Sequence, residues 1–160
     1  DLHSFPTRRS SDLVVVEGAD GGDGGDDAGG EPPLVAGDEA RLRQVLVNLL
    51  ANARVHTPPG TRVTTRISRG PGAAGTWVIT IGDDGPGIDP DVRDRIFERF
   101  ARADASRERR TGSTGLGMSI ALAIVTAHRG ALTVDSVRAG DDPARPQAHG
   151  TTFTVTLPAS

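Results

Sequence analysis

The chain has 160 residues, a formal net charge of -3 and no cysteine. That length holds one domain with a proper core, the charge gives no general pull toward nucleic acid, and the absent thiols exclude a disulfide framework or a thiolate metal site. No apolar run approaches the length of a membrane span, so a soluble domain is expected.

In chain order, Asp1 to Leu13 (DLHSFPTRRSSDL) has the Arg and Ser of a targeting signal. It lacks an apolar central run, however, and Pro6 interrupts any amphipathic helix. Val14 to Glu17 and Leu34 to Ala36 read as short strands. Residues 18–32, almost wholly Gly, Asp and Ala up to Glu31, bury too little surface for a fixed element and read as a flexible loop. Asp38 then caps a helix whose apolar stripe is Leu42, Val45, Leu46, Leu49 and Ala53, ended by Pro58, Pro59 and Gly60.

Arg62 to Ser68 and Thr76 to Ile81 read as strands around the turn GPGAAG, with Trp77, Ile79 and Ile81 on one face. Asp89 and Pro90 start a short helix carrying Val92, Ile96 and Phe97. A charged, unperiodic stretch follows, and a second long helix is expected over 114–128. Its core positions are Leu116, Ile120, Ala123, Ile124 and Ala127, and Gly130 is its stop. Ala131 to Val137 and Thr151 to Leu157 close the chain as strands. Strands and helices mix without strict alternation, which predicts an α+β two-layer sandwich, helices on one face of a mostly antiparallel sheet.

Three clusters carry chemistry. In QVLVNLLANA, Gln44, Asn48 and Asn52 are spaced by four and line one helix ridge, either as a polar flank of the core or as oxygens aimed at a hydrated magnesium ion. In DDGPGI, Gly85 and Gly87 permit a sharp turn, and the Asp83 carboxylate can accept from an exocyclic amine; the same composition also suits an ordinary turn. In GSTGLG, Gly112, Gly115 and Gly117 open a helix whose N-terminal amides suit an anion. That segment lacks the Gly-Lys-Ser/Thr ending of a P-loop and follows no strand, so the common nucleotide fingerprints do not apply.

Taken in order, NLLANA, DDGPGI, IFERF and GSTGLGMSI resemble the N, G1, F and G2 boxes of the catalytic ATP-binding domain of sensor histidine kinases, in the superfamily shared with gyrase and heat-shock chaperone ATPases. The resemblance spans residues 14–158 and implies the Bergerat-type ATP-binding fold. It makes Asn52 the magnesium ligand, with Asn48 supporting the phosphate and metal site, and gives Asp83 the adenine amine. Gly85, Gly87 and Ile88 shape the pocket floor, and His56 stacks near adenine. Phe97 and Phe100 anchor the base of a lid over 101–114. Arg99, Arg102 and Arg107 are candidates for phosphate contacts, and Thr114, Gly115, Leu116, Gly117 and Thr152 complete the nucleotide site.

Two departures stand out. The family often has Lys then an aromatic just after the N box; here the positions are Val55 and His56, and Arg54 projects about 100° away around the helix. Hydrolytic and serine-kinase relatives place a glutamate four residues before the magnesium asparagine, where this chain has Asn48. Activation of water is therefore disfavoured, and the reaction implied is transfer of the γ-phosphoryl group of ATP to an imidazole on another domain. The alternatives are an anti-sigma-type serine kinase, an ATP-gated clamp, or a nucleotide-binding module without catalysis.

None of His3, His56, His128 and His149 lies in the family's acceptor motif. His128 is expected to meet C-terminal helix carbonyls, and His149 to be solvated. The resemblance thus implies an acceptor and dimerisation domain outside this chain, a response regulator as partner, and a homodimeric parent anchored in the membrane with this domain in the cytoplasm. Asp1 to Leu13 resemble the translation of a sequencing-library adapter, which predicts a leader without structure or function and native sequence from about Val14, with residues 159–160 as a tail.

Overall fold

The computed structural model describes residues 13–17, 34–71, 75–99, 115–141 and 148–160. Its elements are β1 (Leu13–Glu17), α1 (Glu39–His56), β2 (Arg62–Arg69), β3 (Thr76–Asp83), α2 (Pro90–Arg93), α3 (Gly117–Ala127), β4 (Ala131–Val137) and β5 (Gly150–Pro158). The five strands lie in the order β1-β2-β3-β5-β4. Only β1 and β2 run parallel; every other pair is antiparallel. Helices α1 and α3 pack together over one face of the sheet, as the sequence predicts. The adapter-like residues 1–12 and the loop 18–32 lie outside the described residues, and Leu13 already pairs with Arg62.

The Asp38 side chain accepts from the Arg41 amide and starts α1. Val45, Leu49 and Ala53 are buried on its inner face, with Leu42, Leu46 and Leu50 packed beside them. From the sheet come Val63, Ile81, Leu132, Phe153, Val155 and Leu157, and from α3 Met118, Ala121, Ile124 and Val125. Trp77 is buried, and the Arg69 guanidinium lies 4.5 Å from its ring centroid across the strand pair. This is a cation-π contact between directly opposed residues.

Several expectations are corrected. Leu34 to Ala36 form no strand; the edge beside β2 is taken by β1, and a Ser160 amide donated to the Leu34 carbonyl at 3.1 Å ties this segment to the end of the chain. The short helix is a single turn, Pro90–Arg93, yet Ile96 and Phe97 beyond it still pack on the core. Helix α3 begins at Gly117, not at 114. Its inner face is Met118, Ala121, Ile124 and Val125, while Ile120, Ala123 and Ala127 are exposed. A helix apolar nearly all round offers no periodicity that selects a face; packing against α1 does.

Nor is Gly130 the left-handed stop. Arg129 takes that conformation, at φ 58. The Arg129 amide donates to Thr126 O and the Gly130 amide to Val125 O, a complete Schellman pair. Gly130 is needed for another reason: a Cβ there would collide with Thr156 O of β5. Since a left-handed L-residue costs about 1 kcal/mol more than glycine, Arg129→Gly is expected to stabilise the domain by about 0.5–1 kcal/mol, read from urea unfolding followed through Trp77 fluorescence.

The Thr65 hydroxyl on β2 is the only buried side-chain polar atom among the described residues without a hydrogen-bond partner. Thr65→Val removes that atom at nearly constant shape. The same unfolding measurement should show a gain of about 1 kcal/mol.

Candidate functional site

Between the C-terminal half of α1 and the end of β3 lies a small cleft, open to solvent. Its walls are Asn52, Ala53, His56 and Thr57 from α1 and its cap, Asp83 and the turn Pro86, Gly87 and Ile88, and Thr151 from β5. Asn52 and His56 are four residues apart, so successive turns of α1 bring both to the rim. Asp83 ends β3 and enters from the sheet side, paired with Thr151 across the β3–β5 ladder.

The two acids of DDGPGI separate cleanly. Asp84 is turned back to β2, where its Oδ1 accepts from the Arg62 amide at 2.7 Å. Asp83 faces the cleft, and its Oδ1 accepts from the Gly85 amide at 2.9 Å. Burial pushes the Asp83 carboxyl above the usual carboxylate range; hydrogen bonds from the Gly85 and Thr151 backbones pull it down, and the neighbouring Asp84 charge raises it again. A carboxylate held in this way is a partly desolvated acceptor with its orientation set by backbone donors.

The turn that follows is hung on the ends of β4 and β5. The Ile88 amide donates to Ser136 Oγ at 2.8 Å, and the Ala139 amide donates to Pro86 O at 3.0 Å. Ser136 in turn bonds Gly150 O and Thr151 Oγ1. Gly87 sits at φ 76, where a Cβ would run into the Val137 carbonyl. Arg138 closes the arrangement with an ion pair to Asp89, the N-cap of α2.

Asn48 stands one turn before Asn52, and its Nδ2 donates to Gly117 O at 3.1 Å. That bond ties the middle of α1 to the start of α3. At the other end of the helix pair, the His128 ring bridges Ile124 O through Nδ1 at 2.8 Å and the Asp38 amide through Nε2 at 3.0 Å. The carbonyl accepts and the amide donates, so the ring carries its proton on Nδ1. A Cβ at Gly37 would strike this ring. Leu116, half-buried, precedes α3 and makes no side-chain cap, which leaves the first amides of the helix without that partner.

The structure therefore brings together Asn52, His56, Asp83, Gly87 and Ile88 of the expected site, with Gly85 directly behind Asp83. Asn48, Gly115, Leu116 and Gly117 form a neighbouring group around the start of α3. Thr152 is not in the cleft wall; β5 buries Thr151, Phe153, Val155 and Leu157 on the helix side, so Thr151 takes that place. Arg99 is exposed, and Phe97 packs on the core. Phe100, Arg102, Arg107, Gly112, Thr114 and the expected lid lie outside the described residues.

His149 is not solvated: its Nδ1 lies 2.6 Å from Gly85 O. Among the described residues no three His, Asp or Glu side chains converge to hold a metal by themselves. A cation here would take most of its ligands from phosphate and water. Alternation along TTFTVTL was the signal that could have selected Thr151, whereas nothing local announces a bond between residues 64 positions apart.

Comparison with known proteins adds the following. The sequence pattern of the family described as histidine kinase-, DNA gyrase B-, and HSP90-like ATPase matches residues 37–160. A protein of Mycobacterium tuberculosis named "Probable sensor histidine kinase TcrY" is 56% identical over 106 residues, 66% of this chain and 22% of that protein. Sensor histidine kinase TrcS of the same organism is 48% identical over 109 residues, 66% of this chain and 21% of the relative. The chain thus spans about a fifth of the length of these curated relatives. Among solved structures, the mycobacterial sensor histidine kinase MprB superposes with a TM-score of 0.70 at 34% identity, covering 94% of this chain and 86% of that one.

Proposed function

Because the chain belongs to the family of histidine kinase-, DNA gyrase B- and HSP90-like ATPases, we propose that it binds ATP in the α1–β3 cleft and serves as the catalytic domain of a two-component sensor histidine kinase. Its γ-phosphoryl group would go to a histidine on a dimerisation domain of the parent protein, and from there to a response regulator. The observation that carries this reading is the convergence of Asp83 and Asn52, from a strand end and a helix, on one cleft.

The residues fit the ligand. A desolvated carboxylate with its own backbone donors suits an exocyclic amine, and a wall of Ala53, Ile88 and glycine suits the flat face of a purine. His56 stands at the rim beside the base. The Asn52 amide oxygen is a hard donor of the kind magnesium accepts alongside phosphate and water; bound there, the ion would neutralise charge on the phosphates. The uncapped amides at the start of α3 offer phosphates a second anchor. Asn48, by holding Gly117 O, keeps that anchor in register with α1.

Asn48 also decides between reactions. An amide is no general base, so water in this cleft gains no activation from that position, and the domain acts by holding ATP for an acceptor that brings its own nucleophilic imidazole. This disfavours the serine-kinase and ATP-gated clamp alternatives. Val55, exposed at 41%, offers the phosphates no charge. No helix among the described residues is long and apolar enough to cross a membrane; we assign membrane anchoring to the parent.

The test is calorimetric titration of the chain with Mg-ATP, followed by incubation with a purified acceptor domain and γ-labelled ATP. Saturable binding and acid-labile label on the acceptor are expected. Binding without any transfer would replace the kinase with a nucleotide-sensing module.

A further inference from the structure

Gly85 has both of its backbone groups engaged. Its amide donates to Asp83 Oδ1 at 2.9 Å and its carbonyl accepts from His149 Nδ1 at 2.6 Å. A carbonyl can only accept, so the His149 proton is on Nδ1. Gly85 is also wedged sideways: a Cβ would lie 2.7 Å from Asp83 Oδ1 and 2.8 Å from Thr57 Cγ2. The residue after His149 is just as constrained, since Gly150 sits at φ 139 with no room for a Cβ against the Asp83 carbonyl. His149 therefore directly precedes the first residue of β5, which pairs with Val137 of β4, and reaches with its ring to the first glycine of the cleft turn.

We propose that His149 is a positioning residue of the nucleotide pocket: by holding the Gly85 carbonyl it fixes the peptide after Gly85, restricts rotation about the Gly85 backbone, and so steadies the preceding peptide, whose N–H holds the Asp83 carboxylate that receives the base. The ring is not in the cleft wall and does not touch the ligand. Its effect passes through Gly85 alone, because neither the Pro86–Ala139 nor the Ile88–Ser136 bond holds that residue. Without the ring the Gly85 backbone is freer to rotate, the Asp83 carboxylate loses one of its two backbone donors, and selectivity for an exocyclic amine falls. The inference rests on the nucleotide reading above.

The test compares His149→Ala and His149→Asn with the wild-type chain, using ATP and inosine triphosphate, which lacks the exocyclic amine. Asn carries an amide nitrogen on Cγ, where His carries Nδ1, and so can keep the donor. His149→Ala should weaken ATP about tenfold and leave inosine triphosphate unchanged, while His149→Asn stays within about twofold of wild type for both. Trp77 fluorescence checks that each variant is folded.

A second arm needs no nucleotide. Nitrogen NMR of the free chain should show His149 protonated on Nδ1, and a Gly85 amide resonance that moves in His149→Ala and returns in His149→Asn. Equal loss for both nucleotides, unchanged ATP affinity in His149→Ala, or an unmoved Gly85 resonance would overturn the proposal. A folded wild-type chain that binds neither nucleotide would instead overturn the nucleotide reading, and this inference with it.

Discussion

Asp83→Asn is expected to lower ATP affinity about a hundredfold while the domain stays folded. The substitution halves the acceptor capacity of the side chain and places an amide donor among donors, since the Gly85 and Thr151 backbones already point at it. Calorimetry with Mg-ATP reads the loss. The wild-type pH profile should carry the same signature. Only the ionised carboxyl accepts from an amine without offering a competing proton, so affinity should fall as pH drops through the Asp83 pKa.

Burial raises that pKa, which puts the acid limb of the profile above the range of an ordinary aspartate. The sign for stability is opposite to that of a salt-bridged acid. A raised folded-state pKa means the fold binds the proton more tightly than the unfolded chain does, so ionisation of Asp83 opposes folding at neutral pH. That contribution vanishes below the ordinary carboxylate range. Asp83→Asn should therefore flatten the pH dependence of unfolding as it removes binding.

Gly150→Ala is expected to destabilise the domain by about 3 kcal/mol or more, because an L-residue is forced to a positive φ and its Cβ is set against the Asp83 carbonyl. The strand pairing that would have to give way is the one that sets Asp83 opposite Thr151. Stability and ATP binding should fall together here, in contrast to Asp83→Asn. Urea unfolding followed through Trp77, the single tryptophan, measures the first, because its ring lies buried in the same sheet.

Helix α1 was readable because a capping aspartate and a five-residue apolar stripe agree, β5 because its alternation is strict, and β3 because a run rich in β-branched and aromatic residues lies between two turns, although Val78 breaks its alternation. Helix α3 was readable as a helix but not in orientation: Ile120 and Ala123 are as apolar as Met118 and Ala121, and only contact with α1 separates them. The parallel pairing of β1 with β2 has no local signature, since their partners lie far apart in sequence.

At the cleft, Asp83 and Asn52 followed from motif order, which resemblance carries well. His149 did not. Its role depends on a closure between two loops, and composition alone reads such a histidine as solvated.

The strand order carries a further consequence, for synthesis. Strand β5 is last in sequence among the elements, yet it lies between β3 and β4 in the sheet. Until it leaves the ribosome, β4 has no partner strand, β3 has one open flank, and the cleft lacks Thr151 and the Gly150 corner. A nascent chain can form the α1 helix and the β2–β3 hairpin early, but insertion of the final strand is a single late event. Nucleotide competence should therefore appear all at once, when β5 has emerged and inserted, rather than grow as the chain lengthens.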